Sequence, residues 1–102
     1  EFAAESAEHL DALERELPGA GASSINDLFR AMHSLKGMSG ALGARGMQAL
    51  THRAEDLLGL VRQGKQALGP EAVGALLAAV DALRIQREAL LNARQDVAPP
   101  PE

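Results

Sequence analysis

The stretch His33-Ser34-Leu35-Lys36-Gly37-Met38 places a histidine, a lysine one turn later and a glycine on one side of what reads as a helix. An imidazole with one free ring nitrogen is a nucleophile, and a nearby ammonium group can neutralise phosphoryl oxygens. Together they suit the carrying of a phosphoryl group. Little else here could do chemistry: the 102 residues contain no Cys, Trp or Tyr, and only 3 His.

With His33 at zero and about 100° per residue, Asn26, Lys36, Gly37 and Gly40 fall within about 60° of it. Leu28, Ala31, Leu35, Met38 and Leu42 lie opposite and form the expected core stripe. Glycine inside a helix costs about 1 kcal/mol relative to alanine, and this face holds two. Gly37 and Gly40 fit either close packing of a neighbouring helix or clearance for another protein's active site. On the following helix, His52 and Glu55 are one turn apart, opposite Leu50, Ala54 and Val61. An antiparallel neighbour can bring them beside His33. There Glu55 could accept a hydrogen bond from one imidazole N–H and leave the other nitrogen as the nucleophile.

These residues need helices to hold them. Hydrophobic residues are 46% of the chain and aromatics 2%, so the core must be aliphatic. Leucine and alanine predominate over β-branched residues, which favours an all-α fold. Apolar periodicity and breakers give helices at about 1–17, 24–42, 46–63 and 70–93. Pro18-Gly19 closes the first and Pro70 opens the fourth. Ser24 and Asp27 occupy a capping-box-like place, and Gly43 is a candidate C-terminal cap. Short connections predict an up-down-up-down antiparallel four-helix bundle over 1–94. Residues 95–102, with Pro99-Pro100-Pro101, read as the start of a proline-rich linker in a longer chain.

The net charge of −4 and the lack of aromatic platforms argue against a nucleic-acid partner. No segment has the roughly 20 apolar residues of a membrane span, and a cytoplasmic, monomeric domain is expected. No metal set is expected either. His52-x-x-Glu55 reverses the Glu-x-x-His order of di-iron bundles and has no second pair. Arg45, Arg53 and Arg62 read as a solvated basic face or a docking surface.

The stretch Phe29-Arg30-Ala31-Met32-His33-Ser34-Leu35-Lys36-Gly37 resembles the phosphorylation motif of the histidine-containing phosphotransfer (HPt) domain. It continues through Gly40 and Leu42-Gly43 to Thr51-His52-Arg53-Ala54-Glu55-Asp56-Leu57-Leu58 at that family's spacing. The histidine after Thr51 makes it most similar to the HPt domains of chemotaxis histidine kinases. Met38 stands where the family often has a small residue, and the fifth helix common in chemotaxis members is not evident.

The resemblance implies that His33 is phosphorylated at Nε2, that Glu55 holds its other nitrogen, and that Lys36 and His52 line the site in a hydrogen-bonded cluster. It implies a carrier with no bound cofactor. A kinase catalytic domain of the same chain or its dimer partner would use ATP and Mg²⁺ to phosphorylate His33. A response-regulator receiver domain, CheY-like or CheB-like, would take the group onto an aspartate with its own Mg²⁺. The parent chain is then expected to be a protein histidine kinase. An HPt module of a multistep phosphorelay is the alternative.

Overall fold

The computed structural model describes residues 1–21 and 23–96, with side chains through 93, and every regular element among them is helical. Helix α1 spans Phe2–Glu16, α2 Ile25–Ala41, α3 Arg45–Arg62 and α4 Pro70–Asp96. A 3₁₀ turn at Leu17–Gly19 follows α1. The proline run lies outside the described residues. Gln95 and Asp96, assigned to the linker from sequence, continue α4. Between Gly74 and Asp96 no Gly or Pro interrupts the helix.

The helix ends show where local chemistry sets the boundaries. Glu1 caps α1, its Oε1 accepting from the Ala4 N–H at 2.8 Å. Ser24 precedes α2, but its hydroxyl makes no cap bond, so the expected capping box does not form. Its backbone is already helical at φ −93° and ψ −14°, whereas a capping side chain acts from an extended residue. The C-terminus of α2 is closed by a Schellman motif. Gly43 takes φ +70°, its N–H donates to Gly40 O at 3.1 Å, and the Ala44 N–H donates to Ser39 O at 2.9 Å. Gly64 ends α3 in the same way, with φ +77°.

The core is aliphatic. Leu10, Leu13 and Leu17 from the first segment meet Leu28, Met32 and Leu35 of α2, Met47 and Leu58 of α3, and Leu76, Val80 and Leu83 of α4. Burying one such side chain contributes about 1.5–3 kcal/mol, so this cluster holds the helices together, with Phe2 and Phe29 packed against its edge. On α2 the buried stripe is turned from the expected one. Ile25, Met32 and Ser39 are inside, while Met38 and Leu42 are only half-buried. The rotation follows from the neighbours, since α2 packs against both α1 and α3 and must bury a face between them.

Packing is closed by α1 against α4. Arg84 donates to Glu14 from Nε at 3.0 Å and to Asp11 from Nη2 at 2.9 Å. Arg87 donates from Nε to the fully buried Ser6 Oγ at 2.8 Å and from Nη2 to Ala3 O at 2.7 Å. These bonds tie the two terminal helices together away from α2 and α3. No described helix is long and apolar enough to cross a membrane.

Candidate functional site

α2 and α3 share the most extensive helix–helix contact in the molecule, and the chemistry-bearing residues lie along it. Ser39 and Thr51 are both fully buried there. Each hydroxyl donates back to its own helix, Ser39 Oγ to Leu35 O at 2.7 Å and Thr51 Oγ1 to Met47 O at 2.8 Å. No buried side-chain polar atom among the described residues lacks a partner, so these small polar groups can sit at the seam without an orphan donor.

His33 stands on the outer edge of α2 with its side chain 64% exposed, whereas that of Glu55 is only 11% exposed. Nδ1 of His33 hydrogen-bonds to Oε2 of Glu55. Nζ of Lys36 donates to Oε1 of the same carboxylate at 2.7 Å. One carboxylate therefore receives both groups, each through its own oxygen. A carboxylate accepts only, so Nδ1 carries the proton in this bond, and in the neutral ring Nε2 is the nitrogen left with the lone pair.

Burial raises the Glu55 carboxyl pKa, but the hydrogen bonds from Lys36 and His33, with their charges, outweigh it and hold the group below its ordinary value. The sign of the linkage follows. A carboxyl depressed on folding contributes stability above its unfolded pKa of about 4.3, and that stability is lost as pH falls through the folded value. Urea unfolding at pH 7 and at successive steps down to pH 3 is expected to show wild type losing more stability than Glu55→Gln. Parallel curves for the two proteins would contradict this.

His52 is not part of the cluster expected from the resemblance. Its Nε2 lies 3.7 Å from Asp56 Oδ2, and its side chain is 62% exposed. Residues three apart on a helix differ by about 60° in direction, so with Glu55 turned inward, His52 is turned out towards Asp56, one turn on. The glycines differ as well. A Cβ on Gly37 would meet nothing within 4 Å, whereas one on Gly40 would come within 2.9 Å of Gln48 Nε2. Gly37 thus leaves open space beside His33, and Gly40 accommodates α3.

One element at the site was not singled out from the sequence. Phe29, one turn before His33, stacks on it with ring centroids 6.2 Å apart and planes 8° from parallel. The Arg62 guanidinium sits 4.1 Å over the same Phe29 ring, a cation–π contact. The spacing of Phe29 and His33 by four residues was the available signal; the position of Arg62 was not predictable without the packing of α3. The contacts across the seam are also ordered: His33 with Glu55, Gly40 with Gln48, and Phe29 with Gly59 are each equidistant in sequence from Ala44.

The family profile described as Hpt domain matches residues 1–86. The chain is 34% identical over 93% of its length to the chemotaxis protein CheA of Salmonella typhimurium, of which it covers 14%. It is 35% identical over 72% of its length to CheA of Borreliella burgdorferi, covering 9%, and 30% identical over 89% to CheA of Bacillus subtilis, covering 14%. The chain thus spans at most about a seventh of these relatives. No solved structure matches it significantly.

Proposed function

Because the chain belongs to the Hpt domain family, we propose that it is the phosphotransfer module of a two-component, chemotaxis-type histidine kinase and that His33 is its phosphoryl carrier. The observation that carries this reading is the exposed His33 imidazole, whose Nδ1 is held by a largely buried carboxylate that also binds Lys36. The likeness to three CheA proteins supports the chemotaxis assignment over a general phosphorelay.

In the forward step the Nε2 lone pair attacks the γ-phosphorus of ATP bound to a kinase domain. The Nε2–P bond forms, the γ-P–O bond breaks, and ADP leaves with the electron pair. Positive charge grows on the imidazole, and the Glu55 carboxylate at Nδ1–H compensates it. Lys36 supplies positive charge beside the phosphoryl oxygens. In the second step an aspartate oxygen of a receiver domain attacks phosphorus, and the Nε2–P electron pair returns to the ring. ATP and Mg²⁺ belong to these partners; this domain lends only the nucleophile and its supports. Gly37 gives the partner sites room to approach, Gly40 lets α3 pack close enough to hold Glu55 in place, and His52 lines the approach.

The same reading gives the helices an up-down-up-down antiparallel order. Support comes from the short connections and from the α2–α3 contact pairs equidistant from Ala44, as expected when a chain folds back on itself. The test is incubation with a cognate kinase and radiolabelled ATP. The expected product is acid-labile, base-stable label on this domain that a receiver domain then removes. Absence of such label, with the kinase shown active on its own substrate, would reject the proposal.

A further inference from the structure

Arg45, Gln48, Ala49 and His52 occur at helical spacing on one face of α3, and with Lys36 of α2 they line a cavity of about 390 Å³. Acidic residues outnumber basic ones 14 to 10 in this chain, yet no carboxylate lines this cavity. Lys36 is engaged with Glu55, and His52 has only Asp56 at 3.7 Å. Arg45 and Gln48 make no side-chain hydrogen bond or ion pair within the described residues; Gln48 only approaches the bare backbone of Gly40. A guanidinium, an amide and an imidazole are thus left with free donors around one space.

We infer that this groove is a phosphate subsite, in which Arg45 and Gln48 hold phosphate oxygens beside Lys36. The inference rests on the reading of His33 as the phosphoryl acceptor and extends it to residues outside the His33–Glu55–Lys36 set. Lys36 joins the two sites, since it lines the groove and also binds the carboxylate that holds His33. The donor set fits a phosphate dianion: a guanidinium forks onto two oxygens, and the Gln48 amide and His52 ring offer further N–H donors. The phosphate could be the phosphoryl group borne by His33 or a free phosphate ion, and the experiment separates these sources.

Phosphoramidate serves as donor to the ¹⁵N-labelled protein without any kinase. Nε2 of His33 attacks phosphorus, the P–N bond to the donor breaks, ammonia leaves with the electron pair, and the Nε2–P bond forms. ³¹P NMR reports the phosphohistidine, while the Arg45 Nε–H and Gln48 amide signals report the groove. In a second arm, inorganic phosphate is titrated into unphosphorylated protein. If the source is the group on His33, phosphorylation moves both signals in wild type but not in His33→Gln. If it is free phosphate, the titration moves them.

Arg45→Glu is expected to slow phosphorylation about threefold at low salt, the difference closing near 0.5 M salt as charges are screened. The substitution is exposed and puts an acid in the first turn of α3, where the helix dipole favours it, so the fold should persist. Phosphohistidine on His33 with both groove signals unmoved and the Arg45→Glu rate unchanged overturns the groove while sparing the carrier. Failure of wild type to form phosphohistidine, with the groove silent to free phosphate as well, overturns both.

Discussion

Replacing His33 with Gln is expected to reduce kinase-dependent labelling to background while leaving the fold intact. The imidazole is 64% exposed and outside the buried core, so little packing is lost. Glutamine is a good helix former and its amide N–H can still reach Glu55, which keeps the expected stability change within about 1 kcal/mol. It cannot be phosphorylated at nitrogen under these conditions, because its lone pair is delocalised into the carbonyl. Labelling with radiolabelled ATP, beside urea unfolding of the same sample, separates the two effects. Persistent acid-labile label on the variant would move the carrier role to another residue.

Glu55→Gln should produce the second largest loss, about 10²-fold in the rate of phosphorylation, equivalent to about 2.7 kcal/mol of barrier. A glutamine oxygen can still accept from Nδ1–H, so the ring is not set free. What disappears is the negative charge that compensates the imidazole as the Nε2–P bond forms. Lys36 also loses its carboxylate at 2.7 Å while three-quarters buried, at 28% exposure. That unpaired ammonium should cost about 1–3 kcal/mol of stability. Single-turnover phosphorylation and chemical unfolding of the same protein give both numbers. A variant that is destabilised yet phosphorylated at the wild-type rate would make Glu55 a structural residue only.

The α2 side of this site was more legible in the sequence than its setting. His33 and Lys36 are three apart on one helix, so their shared face follows from helical geometry alone. Glu55 needed only the further idea of a neighbouring helix folding back. His52 shows the limit of that idea, because its direction depends on how α3 is rotated about its own axis. That rotation is fixed by Met47, Thr51, Ala54 and Leu58 packing inward together, which no single-helix pattern reveals. The same holds for Met32 and Ser39, buried where the α2 stripe from periodicity did not place them, and for the Arg62–Phe29 contact. The missing Ser24 cap has a different cause, since residue type was right and backbone conformation was not.

The turn at Gly43 also sets the phase between two gears. His33 and Glu55 belong to separate helices and stand equidistant from Ala44, so the number of residues in that turn decides which teeth mesh. One residue more or fewer would rotate one row by about 100° against the other and bring a different side chain opposite the imidazole. Exposed positions of α2 and α3 that make no contact across the seam carry no such constraint. The length of the connection between them is not free in this way, because the pairing of His33 with Glu55 is written into it.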